Sequence, residues 1–131
     1  MTEPTKVEPK KYSKQFPELG GLLGGYFHQE QFAAFEWNGY KKGYKPIVRY
    51  HKSIQSEEYL KKEIKELGEF LTLSQNWDED ELFEVLLHDF GGTLSAYRFN
   101  LTYREFLEGI LEILEEPMEK TRSEFIPKFI G

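Results

Sequence analysis

The chain has 131 residues, a usual length for one domain, and no cysteine, so disulfides and thiolate metal sites are excluded. Its net charge of −6 is uneven, because residues 1–52 carry nine basic and five acidic side chains whereas residues 53–131 carry eight and eighteen. An acidic half disfavours binding to nucleic-acid phosphates and suits a basic protein partner. Solubility alone also produces acidic surfaces.

The start of the chain is polar and lysine-rich, without the apolar core of a secretory signal, and no apolar run is long enough to span a bilayer. We therefore expect a cytoplasmic protein that binds neither membranes nor nucleic acid directly. Residues 1–15 are predicted to form a disordered tail.

The first helix is predicted over residues 16–27, where leucines and aromatic residues recur at helical spacing and Pro17 suits the first turn. Four glycines interrupt it, and each costs ~1 kcal/mol relative to alanine inside a helix. Because packing must return that energy, the glycines predict close approach by another element.

Residues 29–44 are predicted to form an aromatic-rich loop. The pair Asn38-Gly39 is typical of a hairpin turn, but the runs on either side are too short to predict strands. Pro46 then begins a short helix that reaches Lys52.

Three further helices have clear start signals. Ser56 can cap the first of them, while Asp78 with Glu81 and Thr102 with Glu105 can form capping boxes at the other two. The inner face of the helix after Asp78 is predicted to consist of Leu82, Phe83, Leu86 and Phe90.

These elements predict an all-α fold, a single compact domain of four to five helices with an aromatic-rich loop after the first helix. The helical domain spans residues 16–117 and ends at Pro117, which stops the last helix. Residues 118–131 form an apolar tail that either packs on the domain or stays flexible.

A search for catalytic chemistry finds no motif. His28, His51 and His88 have no partner at metal-ligand spacing, and we expect His51 and His88 to be partly exposed. Carboxylates fall on predicted solvent faces, where nothing raises the pKa for acid–base catalysis. We predict a protein without cofactor, metal or catalytic residues, and not an enzyme.

Acidic residues form one stripe on the last predicted helix, at spacings of three, four and four. The stripe consists of Glu105, Glu108, Glu112 and Glu116. Arg104 can pair with Glu108, but no basic side chain close in sequence neutralises the last two. The stripe is either an interface for a basic partner or a solvated helix face.

Three other residues are candidates for partner contact. Glu84 lies in the preceding helix and has no evident structural role. Trp37 and Tyr40 lie in the aromatic loop, and tyrosine and tryptophan are frequent interface anchors. The alternative for both aromatics is a lid over the core.

Four motifs follow one another in a definite order. They are FPELGGLLGGYFHQ at 16–29, EWNG at 36–39, an acid-started helix ending in glycine at 78–91, and LTYREFL at 101–107. In this order they resemble the CdiI-type immunity proteins of bacterial contact-dependent growth inhibition systems, over roughly residues 16–116. The basic stretch Tyr40–Lys45 and the tail after Pro117 match no pattern of that family.

The resemblance implies a cytoplasmic protein that binds the C-terminal toxin domain of a cognate CdiA-like exoprotein 1:1 and blocks its active site. Such toxins are often nucleases, and an RNase is favoured here; a nuclease presents a basic surface to its substrate. The free protein is expected to be a monomer. The alternative is a helical adaptor that binds another protein through the aromatic loop or Phe125–Ile130.

Overall fold

The fold follows from a computed structural model, which describes residues 11–27, 34–91 and 96–130. Seven α-helices lie in these ranges: α1 (Lys11–Gln15), α2 (Pro17–Tyr26), α3 (Tyr44–Ile54), α4 (Glu57–Leu73), α5 (Glu79–Glu84), α6 (Tyr103–Glu115) and α7 (Met118–Ser123). A π-helical turn, Val85–Asp89, continues α5, and a 3-10 turn, Ala96–Phe99, precedes α6. Strands β1 (Phe35–Glu36) and β2 (Lys128–Phe129) form the only sheet in the described ranges. The all-α prediction is confirmed.

Helix α6 packs against both α3 and α4, and α2 also packs against α4. The buried face of α6 consists of Tyr103, Phe106, Leu107, Ile110, Ile113 and Leu114. These positions follow the helical repeat, which places one apolar stripe toward the neighbours and leaves the opposite stripe in solvent. Of the described helices, none is both long and apolar enough to cross a membrane.

The three predicted capped helix starts are confirmed, whereas the helix predicted over Pro46–Lys52 is longer and spans Tyr44–Ile54. The Ser56 hydroxyl accepts the Tyr59 N–H at 3.1 Å. Asp78 and Glu81 form a reciprocal capping box at α5, and Thr102 and Glu105 form one at α6. Each cap satisfies N–H groups that have no partner inside the helix.

Close approach at the α2 glycines is also confirmed. A Cβ added at Gly24 would lie 2.6 Å from the carbonyl oxygen of Phe90, whereas one added at Gly25 would meet nothing within 4 Å. Gly24 is therefore the position where the backbone of α2 meets the end of the α5 segment, by which we mean α5, the π-helical turn and Phe90 (residues 79–90). Gly91, which follows Phe90, has φ +77° and ends that segment in the left-handed region that favours glycine.

Residues 11–15 do not form the disordered tail that was predicted, because they are held by the α5 segment. The Asp89 carboxylate accepts the N–H groups of Tyr12 at 2.9 Å and Ser13 at 3.0 Å. The Tyr12 ring packs edge-on against Phe70 and Trp77. Both contacts span more than 55 residues of sequence, so local composition carries no sign of them. Residues 1–10 lie outside the described ranges.

The Asn-Gly turn forms, but it does not join a hairpin. Asn38 and Gly39 both have positive φ, and the Tyr40 N–H donates to the Trp37 carbonyl at 2.8 Å. Strand β1 pairs instead with β2 from the far end of the chain, in antiparallel register with Glu36 opposite Lys128. The C-terminal segment therefore packs on the domain, the first of the two predicted alternatives.

Candidate interaction surface

The outer stripe of α6 carries three of the predicted contact residues, and all three are exposed: Glu105, Glu108 and Glu112. Arg104 Nε lies 3.4 Å from the Glu108 carboxylate, as expected, and Arg104 Nη2 also donates to the Leu71 carbonyl at 3.0 Å. No described residue forms an ion pair with Glu112. Its charge nevertheless affects Tyr44. Burial raises the pKa of Tyr44 most, and the nearby Glu112 carboxylate raises it further.

Glu116, the fourth member of the predicted stripe, does not face solvent as the other three do. Its side chain is 7% exposed and accepts from Arg49 Nε at 3.1 Å and from Thr121 Oγ1 at 2.6 Å. Burial opposes its ionisation, but these hydrogen bonds outweigh burial and hold the pKa below its usual value. The partners come from α3 and α7, so spacing within α6 could not identify them.

Lys52 caps the same C-terminal end of α6. Its ammonium group donates to the carbonyl oxygens of Ile113 and Glu116 and to Thr121 Oγ1, the first at 3.0 Å and the last at 2.9 Å. A buried cation at the C-terminal carbonyls satisfies groups that have no partner inside the helix and offsets the helix dipole. Burial lowers the pKa of Lys52.

Helix α5 begins with a run of carboxylates, most of which have structural partners. Asp78 and Glu81 form the capping box, and Glu79 accepts the Tyr103 backbone N–H at 2.8 Å. Asp80 and Glu84 remain exposed, four residues apart on one side of the helix. Glu84 lies 3.3 Å from His88 Nε2 in an exposed pair.

Phe83 does not belong to the inner face of α5, contrary to the prediction. It is 37% exposed, and its ring centroid lies 5.6 Å from that of Tyr103. The inner face is instead Leu82, Leu86 and Phe90, all buried. Phe83 follows Leu82 directly, and a step of 100° turns it toward the start of α6 rather than into the core.

The two aromatic candidates of the loop differ. Trp37 is 7% exposed and lies in the core cluster, which agrees with the lid interpretation for this residue. Tyr40 is 58% exposed and stacks on Phe125 with ring centroids 4.0 Å apart. Tyr40 therefore stays accessible while it holds the C-terminal segment.

A buried histidine–glutamate hydrogen-bonded pair went unpredicted. His51 and Glu63 are 2% and 0% exposed, and His51 Nε2 lies 2.8 Å from both Glu63 oxygens. The expectations that His51 is partly exposed and that carboxylates lie on solvent faces are wrong here. One signal was available: Glu63 lies three residues after Leu60 and four before Leu67, on the buried stripe of α4.

Burial raises the pKa of Glu63, although His51 opposes the shift through its hydrogen bond and its charge. A second carboxylate of α4, Glu66, accepts the Leu19 N–H at 3.0 Å and shares a hydrogen bond with Glu18. Burial and then Glu18 raise the pKa of Glu66 to about 7. These groups join α4 to α2 and α3. Within the described ranges, no three potential ligands lie together as a metal site.

The family of the chain follows from sequence comparison. A family model described as the CdiI immunity protein matches residues 15–114, which is 100 of the 131 residues. The chain belongs to this family. CdiI immunity proteins are inhibitors, so the prediction of a protein that is not an enzyme agrees with the family.

Comparison with solved structures finds the same fold in one chain of a two-protein complex. The crystal structure of a CdiA-CT/CdiI complex from Y. kristensenii 33638 contains a chain that is similar to this immunity protein at TM-score 0.62 and 21% identity. The similarity covers 79% of this chain and 97% of the other. No curated protein sequence matches. At this identity the structural likeness concerns the fold alone.

Proposed function

We propose that this immunity protein binds the C-terminal toxin domain of a cognate CdiA-like exoprotein in a 1:1 complex in the cytoplasm and blocks its active site. The match of residues 15–114 to the CdiI family carries the proposal. The similar chain from Y. kristensenii belongs to a CdiA-CT/CdiI complex, which supports the same kind of partner.

The toxin is proposed to be a nuclease, with an RNase favoured. A nuclease needs cationic side chains to hold phosphate, and an inhibitor that covers them needs carboxylates in the matching positions. The exposed stripe of α6 supplies such carboxylates. Among them, Glu112 forms no ion pair with any described residue. The proposed toxin contacts are therefore Glu84, Glu105, Glu108, Glu112 and Tyr40, without the buried Glu116 and Trp37.

The first experiment is co-expression with the toxin domain encoded directly upstream. Cells should survive the toxin only when this immunity protein is present, and the two purified proteins should elute together as a 1:1 complex. An unrelated toxin domain of the same class serves as the control. Absence of both protection and complex would contradict the proposed function, and RNA that stays intact in unprotected, intoxicated cells would contradict the RNase assignment.

The contact surface is tested by charge reversal that leaves the caps intact. The double variant Glu108→Lys with Glu112→Lys should weaken binding of the inactive toxin domain by more than about tenfold and flatten its dependence on salt, because opposed charges are replaced by repulsion. The matched control reverses two exposed glutamates of α4, Glu58→Lys with Glu69→Lys. Equal affinity of the two variants would show that the α6 stripe is a solvated helix face and not a toxin contact.

The adaptor alternative has little support from the structure. It required an aromatic loop or an apolar C-terminal tail free to bind another protein. Trp37 is buried, Phe125 stacks on Tyr40, and Phe129 lies in β2 against Phe35. These three side chains are engaged within the domain, whereas Tyr40 and Ile130 stay exposed at 58% and 60%.

A further inference from the structure

An aromatic patch lies at the N-terminal end of α6. Six large apolar or aromatic side chains are exposed by more than a third in the described ranges, and two of them meet at one residue. Tyr97 is 58% exposed and Phe83 is 37% exposed. Their ring centroids lie 5.4 Å and 5.6 Å from that of Tyr103, which is buried. We call Phe83, Tyr97 and Tyr103 the aromatic patch.

Hydrogen bonds hold two members of the patch, Tyr97 and Tyr103, in place. One carboxylate oxygen of Glu79 accepts the Tyr103 backbone N–H at 2.8 Å and lies 3.4 Å from the Tyr97 hydroxyl. Glu79 thereby connects α5, the 3-10 turn and the first residue of α6. Rings fixed before a partner arrives lose little freedom on binding, which is a condition for a strong contact.

Exposed carboxylates border the patch. Asp80 precedes Phe83 by three residues and Glu84 by four, so these three side chains project from one side of α5. Partial desolvation and then the charges of nearby groups, Glu79 and Asp80 among them, raise the pKa of Tyr97. Glu84 also lies 3.3 Å from His88 Nε2 in an exposed pair.

Exposed rings bordered by carboxylates suit a cationic side chain. A guanidinium or ammonium group is attracted to the face of a tyrosine or phenylalanine ring, and a carboxylate beside the ring can accept its hydrogen bonds. Phe83 lies outside the core that contains Leu82 and Leu86, and it is 37% exposed. A basic protein surface, rather than an apolar one, complements both features of the patch.

We propose that the aromatic patch, with Asp80 and Glu84, is the anchor of the toxin interface and receives an arginine or lysine side chain of the toxin domain. This inference rests on the proposed function and names the site through which it acts. It adds Phe83, Tyr97 and Asp80 to the contact residues, and it makes Tyr97 the residue with the largest contribution to affinity.

The experiment measures the affinity of the catalytically inactive toxin domain, encoded upstream, for four variants. Tyr97→Ala should weaken binding by about 30-fold and Phe83→Ala by about tenfold, the range of tyrosine hot spots and their neighbours. Tyr97→Phe keeps the ring and should stay within about threefold of the unsubstituted protein. Ile54→Ala, at a residue 55% exposed at the end of α3, is the matched control and should have no effect.

Charge and fold are controlled separately. Asp80→Asn with Glu84→Gln should slow association most at low salt, because steering by charge is screened as salt rises. Thermal melting of each free variant shows whether the fold is kept. Tyr97→Ala could lower the melting temperature because it removes the hydrogen bond to Glu79. Phe83 has no such hydrogen bond, so in that case the toxin affinity of Phe83→Ala tests the anchor.

The outcomes separate the two proposals. If the unsubstituted protein does not bind the toxin, the proposed function fails and this inference fails with it. If it binds while Tyr97→Ala and Phe83→Ala bind equally well, only the anchor is refuted. A change in the oligomeric state of the free protein, with toxin affinity unchanged, would identify the patch as a contact between copies of this chain and likewise refute the anchor.

Discussion

Glu112 and Glu116 lie one turn apart near the C-terminal end of α6 and use the same side chain for different purposes. Glu116 is covered by α3 and α7 and bonded to Arg49 and Thr121, so its charge joins three helices. Glu112 lies on the outer stripe and is exposed, and none of the described residues forms an ion pair with it. A charge that other helices cover stabilises the fold, and one that they leave open is available to a partner.

The same contrast separates the two regions of the molecule at large. The region where α2, α3 and α4 meet contains the buried His51–Glu63 pair and the Glu18–Glu66 contact. The region around the start of α6 carries exposed carboxylates and the aromatic patch. Substitutions in the first region should change stability, and those in the second should change toxin affinity.

The largest effect on stability is expected for Glu63→Ala. Removal of one partner leaves His51 buried without the carboxylate that it contacts at 2.8 Å, which costs about 3 kcal/mol of unfolding free energy. The measurement is urea unfolding at pH 7. Glu58→Ala, exposed on the same helix, is the control and should change stability by less than about 0.5 kcal/mol. A loss below about 1 kcal/mol for Glu63→Ala would place this pair among the weak surface interactions.

Gly24→Ala tests how closely α2 approaches the α5 segment. The added Cβ would lie 2.6 Å from the Phe90 carbonyl oxygen, a backbone atom that cannot move alone, so we expect a loss of about 2 kcal/mol. Gly25→Ala meets nothing within 4 Å and should instead stabilise the helix by about 0.5 kcal/mol. Effects of the same sign in thermal melts of the two variants would contradict the described packing.

Glu116→Ala and Glu112→Ala compare the covered and the exposed glutamate of α6 directly. Loss of Glu116 removes three hydrogen bonds and leaves the largely buried Arg49 without its main partner, which should cost about 1.5 kcal/mol. Glu112→Ala should leave the unfolding free energy within about 0.5 kcal/mol and lower toxin affinity instead. If both variants lose stability equally, the distinction between the two glutamates is wrong.

The smallest effect is expected for Glu66→Gln, and it depends on pH. The pKa of Glu66 is about 7 in the folded protein against 4.5 for an ordinary glutamate. Between these values the folded state binds more protons than the unfolded state, so the unfolding free energy falls as pH rises.

Glutamine cannot ionise, so stability should vary less from pH 5 to pH 8 in the Glu66→Gln variant. The variant should exceed the unsubstituted protein by about 1 kcal/mol at pH 8, a figure reduced for the partial exposure of Glu66. Denaturant unfolding at several pH values measures the difference. Parallel curves would show that Glu66 titrates like an exposed glutamate.

Much of the fold could be predicted from the sequence because its signals are local. A cap at Ser56 or Thr102 needs only a side chain within three residues, and an apolar stripe needs only the helical repeat. The α2 glycines predicted a close contact because their cost inside a helix requires compensation. The motif order within residues 16–116 likewise predicted the family, since order and spacing are properties of the chain itself.

Only the tertiary structure decided which polar groups are buried and which aromatics are not. The partners of Glu116, His51 and Lys11–Gln15 come from elements far away in sequence, and so does the strand that pairs with β1. Exposure is likewise a property of the neighbours: Trp37 is covered, while Phe83, one step from a core leucine, is not. Periodicity specifies the direction of a side chain relative to its own helix, and the other helices determine what it meets there.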